Sequence, residues 1–199
     1  MLSEKPAQYK EIIKGFLSKL THFSELDFQI LWDNLYYKEL NKYEVLTNIG
    51  EIENRLCFIM SGFTRIYCMN GHKEYTLRFN FPGSFFCSYA SFIDRIPSAL
   101  AIEALTPGSM FFFSYESMEE LYRKAPGAER IGKSMIERLY IMREEKEISF
   151  ATQSAEQNYL DLLKTQPELI MQIPQKYIAS YLGITPESLS RIRSRLWKN

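Results

Sequence analysis

The chain has 199 residues, 46% of them hydrophobic and 15% aromatic, which is enough apolar material for the core of one large domain or two small ones. Its 24 Lys and Arg match 24 Asp and Glu, so a formal net charge of zero excludes a whole-surface polyelectrolyte, and any affinity for nucleic acid has to come from a local patch. Cys57, Cys68 and Cys87 are odd in number and lack CxxC spacing, which argues against a disulfide framework or a zinc site and for buried reduced thiols.

The N-terminal MLSEKPAQYK is acidic and polar with no apolar stretch behind it, so no signal peptide is expected, and no apolar run approaches the roughly 20 residues of a membrane span. A cytoplasmic protein without a membrane partner is the expectation. Over residues 9–20, Ile12, Ile13, Phe16, Leu17 and Leu20 recur at helical spacing, and a second helix is expected from Ser24 through Phe28, Leu31 and Leu35. From about Tyr43 the period changes. Residues 56–60 form an apolar run closed by Ser61-Gly62, and residues 63–69 form another closed by Asn70-Gly71, a strong hairpin signal. Tyr75, Leu77, Phe79 and Phe81 then alternate with Thr76, Arg78 and Asn80, which predicts a half-buried strand with the first set inward. After Pro82-Gly83, residues 99–105 and 110–113 predict a further strand pair around Thr106-Pro107-Gly108-Ser109. Many short strands at this spacing predict a β-roll or jelly-roll sandwich. Beyond Pro126-Gly127, Ile131, Met135, Leu139 and Met142 follow steps of four, four and three, near a 3.5 repeat, so this long helix is expected to pair with a copy of itself. The alternative is that it covers the roll. A boundary near residues 150–153 precedes a helical stretch carrying Tyr159, Leu160, Leu162 and Leu163.

Residues 173–199, IPQKYIASYLGITPESLSRIRSRLWKN, say most about function. Two short apolar-periodic segments meet at Gly183, which takes the positive φ that ends a helix sharply, and Thr185-Pro186 supplies an N-cap oxygen and a first-turn residue whose missing N–H needs no partner. This is a helix-turn-helix pattern. At about 100° per residue, Leu189, Ile192 and Leu196 fall on one stripe facing Ile178, Leu182 and Ile184, with Ala179 small enough for a close crossing. The opposite face carries Glu187, Arg191 and Ser194, flanked by Ser190 and Arg195. Arginine reaches guanine O6 and N7 and a carboxylate accepts from cytosine N4, so this face suits a major-groove reader. Arg193 lies at the edge of the apolar stripe, for a phosphate contact or an internal role. With Arg191, Arg193, Arg195 and Lys198 and no acid, residues 188–199 are the local basic patch.

Roll, long helix and helix-turn-helix in this order resemble the Crp-Fnr family of bacterial transcription regulators over nearly the whole chain. The resemblance rests on residues 58–67 as its strand-Gly-strand unit, on Pro82-Gly83-Ser84-Phe85-Phe86 as the start of its ligand cassette, and on residues 178–185 as its helix-turn-helix. It implies an α+β fold with a sensor β-roll over residues 1–125, a dimerisation helix over 126–150 and a DNA-binding domain over 151–199. By position, it implies base reading by Glu187 and Arg191, a groove position for Ser188 and a phosphate contact for Thr185. Ser194 and Arg195 complete the expected DNA face, and Ile131, Met135, Leu139 and Met142 the dimer helix. Double-stranded DNA with a palindromic operator and a second copy are the implied partners, and RNA polymerase and a small-molecule effector are further partners that the resemblance allows.

The ligand cassette departs from the family. Cyclic-nucleotide binders carry Gly-Glu for the ribose and Arg-Ser for the phosphate, where this chain has Cys87-Ser88 and Pro97-Ser98, so cAMP in that mode is not expected and no cofactor is assigned. Arg95 is either a substitute cation or an exposed loop arginine. Pocket candidates are Gly83, Phe86, Cys87, Ser88, Tyr89, Pro97 and Ser98, with Phe92 and Ile102 also facing either a pocket or a filled core. An N-terminal cysteine cluster for iron–sulfur is absent, and His22 and His72 give no specific haem signal. The sequence ends three residues after Leu196, short of the wing that family members often carry. No HExxH, GxSxG, P-loop or dinucleotide fingerprint is present, so no enzyme is expected. The leading reading is a homodimeric sequence-specific regulator. The alternative is a small-molecule-binding roll whose helical tail serves a protein partner.

Overall fold

The structure, a computed structural model, describes residues 4–196. Met1 and Lys198, which entered the reading of the two termini, lie outside the described residues. Two helices open the chain, α1 (Tyr9–Ser18) and α2 (Glu25–Asn34). A capping box starts α2: the Asp27 N–H donates to Ser24 Oγ at 3.1 Å and the Asp27 carboxylate accepts from the Ser24 N–H at 3.2 Å. The same carboxylate accepts from the Gly127 N–H at 3.3 Å, and the Ser24 hydroxyl holds it below the usual carboxylate range. Ser24→Ala is therefore expected to lower stability by about 1 kcal/mol, read by urea unfolding.

Strands β1 (Tyr36–Leu40), β2 (Val45–Thr47), β3 (Arg55–Ser61), β4 (Thr64–Asn70), β5 (Lys73–Asn80) and β6 (Phe85–Phe86) follow; α3 (Tyr89–Asp94) separates them from β7 (Ala101–Ala104) and β8 (Gly108–Ser114). They form two antiparallel sheets, ordered β1-β8-β3-β6 and β2-β7-β4-β5. Leu46, Ile59, Ile66, Phe86, Ile102, Met110 and Phe112 fill the space between them. The outer face of the first sheet, with Phe58, Phe111 and Phe113, is covered by α1, α2 and α4 (Tyr115–Lys124), and by the start of the long α5 (Pro126–Thr152). The last four helices are α6 (Ala155–Thr165), α7 (Pro167–Gln172), α8 (Gln175–Tyr181) and α9 (Pro186–Leu196). Their apolar faces share one cluster with Phe63, Phe79 and Leu105 of the roll.

The β-roll and the Asn70-Gly71 hairpin match the sequence reading: Asn70 pairs with Lys73 across Gly71, whose φ is 59°. Three expectations need correction. The two strands expected to pair around Thr106 to Ser109, β7 and β8, belong to opposite sheets, because Gly108 must pass so close to Ser61 that a Cβ there would lie 2.1 Å from its carbonyl oxygen. The alternation in β5 fails at Leu77. Ile66 pairs with Arg78 but Tyr67 pairs with Thr76, so Leu77 is a bulge residue, 41% exposed, and Thr76 is buried in its place. Finally, Ile131 and Met135 are 2% and 3% exposed and pack into the chain's own core, while Leu139 and Met142 are half-buried. The stripe expected to meet a second copy therefore covers the roll at its N-terminal end.

Candidate nucleic-acid interface and effector pocket

Ile178, Ala179 and Leu182 of the α8 turn meet Leu189 and Ile192 of α9, all buried, as the 3.6-residue pattern required. Gly183 adopts φ 68° between them. The Thr185 hydroxyl accepts from the Ser188 N–H at 3.2 Å, which caps α9. Glu187 is held below the usual carboxylate range, first by its own N–H and then by the Thr185 hydroxyl. Glu187, Arg191 and Ser194 are exposed, and the Arg191 guanidinium donates to Ser188 Oγ at 2.9 Å. Thr185, Glu187, Ser188 and Arg191 thus lie at the N-terminal half of α9 and Ser194 near its other end, all exposed except the half-buried Ser188. Arg195 differs: it donates to Glu156 of α6 at 2.5 Å, an ion pair that ties it to the flank of α6. Arg193 is half-buried.

The pocket candidates do not converge. Phe86, Cys87, Ser88 and Ser98 are buried, whereas Tyr89 is 41% exposed and Pro97 is also exposed, so those two are not lining residues. Gly83 turns the chain at φ 88°. Ser98 Oγ donates to Ser88 Oγ and lies within 3.0 Å of both backbone polar groups of Leu100, so the cassette hydroxyls satisfy one another. Nearby, the buried Glu53 carboxylate accepts from Thr47 Oγ1 at 2.7 Å and the Arg55 N–H at 3.0 Å. Arg95 is no substitute for the missing phosphate cation. It sits at φ 55° and spends its guanidinium on the Glu53 carbonyl at 2.7 Å, on the Asn54 side chain and on the face of Tyr115 at 4.2 Å. Burial pushes the Cys87 thiol up to about 12 and raises Cys57 well above its ordinary value, so both stay protonated at neutral pH. Among the described residues no group of three His, Cys, Asp or Glu is placed to hold a metal.

One free space of about 20 Å³, enough for a water or two but walled by Ile13, Phe16, Leu17, Phe58, Phe85 and Phe111, lies under α1 instead. Its lining offers water no partner, and it belongs to the packed core.

A second set of residues, not singled out from the sequence, joins roll to helix-turn-helix. Arg65 of β4, 2% exposed, lies between the rings of Tyr67 and Tyr177 at 4.0 and 3.9 Å, with Glu103 at 2.7 Å and Glu74 at 2.6 Å. Ser180 of α8 donates to the Glu74 carbonyl at 3.0 Å and accepts from the Thr76 N–H at 2.9 Å. Lys146 of α5 donates to the Leu77 carbonyl and stacks on Tyr181 at 4.1 Å and Phe150 at 4.9 Å. Only the helical step from Met142 to Lys146 hinted that Lys146 faces inward.

Residues 37–125 match the cyclic nucleotide-binding domain. That match runs from β1 to the end of α4, the whole roll. Among solved structures the chain is similar to FixK2 from Bradyrhizobium japonicum (20% identity, TM-score 0.69, 82% of this chain and 85% of that one). It is also similar to the c-di-GMP responsive global regulator CLP of Xanthomonas campestris (17%, TM-score 0.69, 88% and 92%) and to the catabolite activator protein of Thermus thermophilus (17%, TM-score 0.54, 88% and 84%). A comparison with curated proteins gives no match. Residues 37–125 are thus similar to a domain of cyclic nucleotide-binding type, and the chain shares the fold of FixK2, CLP and the catabolite activator protein. No helix of the described residues is long and apolar enough to cross a membrane.

Proposed function

We propose that the chain is a homodimeric transcription regulator that reads DNA with α9 and senses an effector with its roll. The observation that carries this reading is the exposed Glu187, Arg191 and Ser194 face on a helix that is capped by Thr185 and braced from behind by α8. In the proposed arrangement the roll spans residues 1–125, the pairing helix 126–150 and the DNA-binding part 151–199. Ile131 and Met135 are occupied within the chain, so pairing would use Ile141 and Ile148, exposed and seven residues apart on the same side of α5. Two copies of α9 related by a twofold axis would enter successive major grooves about 34 Å apart. Thr185 would contact phosphate, Ser188 and Ser194 would line the groove, and Arg195 would serve its rim. A cyclic nucleotide held by the Glu and Arg of the family's cassette is disfavoured, because Ser88 takes the glutamate's place and is bonded to Ser98, and Pro97 takes the arginine's.

The test is selection of binding sites from random duplex DNA at moderate salt, with Arg191→Ala as control. A palindrome enriched by the wild type is expected, and the variant should bind it about 1–3 kcal/mol more weakly while keeping its affinity for unrelated DNA. Equal losses on every sequence would remove Arg191 from base reading, and a folded, dimeric protein that enriches nothing would refute the regulator that reads DNA without an added effector.

A further inference from the structure

The pairing register of β5 leaves one cation unaccounted for. Arg78 pairs with Ile66 and shares its face, the one turned into the roll; its Nε is buried with no hydrogen-bond partner, and no acid pairs with it among the described residues. The Cys87 thiol of the cassette acts on it electrostatically, and it acts in turn on the Lys146 ammonium of α5, whose hydrogen bond falls on the neighbouring Leu77 carbonyl. Lys146 is itself without an acid, resting on a backbone carbonyl and two rings. Two like charges, half-buried and without a counter-ion among the described residues, are an unfavourable arrangement in a chain that elsewhere pairs its buried cation Arg65 with two carboxylates.

We propose that Arg78 and Lys146 form a binding site for a small oxyanion, phosphoryl or carboxylate, at the seam of β5, α5 and α8. The proposal rests on the reading of the roll as the sensing part, and it names the chemistry sensed. The cation that the family supplies from the cassette is here supplied from the opposite wall. Arg78 keeps partial exposure, so the guanidinium is reachable from solvent. A guanidinium presents two parallel donors to such a group and the ammonium adds a third. An anion between them competes with the Leu77 carbonyl and the Tyr181 ring for Lys146, and so alters the contact that holds α8, the first helix of the DNA-reading pair, on the roll.

The experiment is titration of the full chain, without DNA, with inorganic phosphate and separately with succinate against chloride at matched ionic strength, followed by thermal unfolding. The wild type is expected to be stabilised by at least one of the two anions beyond chloride, and Arg78→Met and Lys146→Met each to weaken that binding about tenfold or more. Arg191→Ala should bind as the wild type does. Binding lost in Arg191→Ala but kept in Arg78→Met would put the anion on α9 and overturn the site, as would two variants that bind undiminished or a wild type that prefers neither anion to chloride. Preference for phosphate over succinate, or the reverse, decides between the two sources. Because no DNA is present, failure of operator binding leaves this result standing, and failure here leaves α9 untouched.

Discussion

Arg65→Ala is expected to lower the unfolding free energy by about 3–5 kcal/mol, the usual consequence of removing one partner of a buried ion pair. Glu103 is 9% exposed and would be left as a carboxylate with neither water nor cation. Glu74 is largely solvated and contributes little to that figure. The rings of Tyr67 and Tyr177 would also lose the plane between them. Arg65→Lys keeps the charge but neither the fork nor the stack, so it should recover less than half of the loss. Urea unfolding measures both. Because Tyr177 belongs to α8, amide exchange in α8 should quicken in Arg65→Ala more than exchange in β8. A destabilisation below about 1 kcal/mol would mean that the cluster relaxes into water and is no fastening at all.

Lys146 gives the second large effect, this time through pH. Burial first, and Arg78 next, lower its pKa from 10.5 to about 8. Below pH 8 the ammonium is charged in both folded and unfolded chains, and the folded state carries the full penalty. Between pH 8 and 10.5 the unfolded chain binds the proton that the folded chain has released, so stability rises with pH, by at most about 3 kcal/mol over the window. Of the groups that face Lys146, burial lowers the Arg78 guanidinium from its ordinary value and raises the Tyr181 phenol from its own, and Leu77 offers a carbonyl. Lys146→Met should be more stable than the wild type at pH 7 and should lack the rise. Unfolding free energies of both proteins at pH 7 and pH 10 decide it, and parallel profiles would place the ammonium in water. The same profile reports on the proposed anion, since a bound phosphate would keep Lys146 protonated and move the rise to higher pH.

Local chemistry made much of this molecule legible in advance. Ser24, Asn70-Gly71, Gly183 and Thr185-Pro186 act within four residues of themselves, and each does in the structure what its type suggested. The exposed Glu187, Arg191 and Ser194 face of α9 followed from one helical period. Long-range pairing was not legible. Nothing in the order of residues marked Leu77 as surplus, because Tyr75, Leu77 and Phe79 alternate perfectly on paper. The stripe of α5 was found but its partner was not, since an apolar seam looks the same whether it meets a roll or a second copy. Short β1 and α3 gave too few residues for a period to emerge. The junction of Arg65, Tyr177, Lys146 and Tyr181 joins three elements through residues that look like ordinary surface polar groups in isolation.

The surplus residue in β5 also has the character of a parity device. Without it, residues 74 and 76 would lie on the side opposite Phe79; with it, Glu74, Thr76 and Phe79 all look toward α8, and Arg65 finds its carboxylate, Ser180 its N–H and Tyr181 its ring on one wall. Arg78 is left alone on the other side, and the carbonyl of Leu77 bulges out to meet Lys146. A single inserted residue therefore sorts one strand between two audiences, the inside of the roll and α8, and places the unmatched charge at the point where they meet.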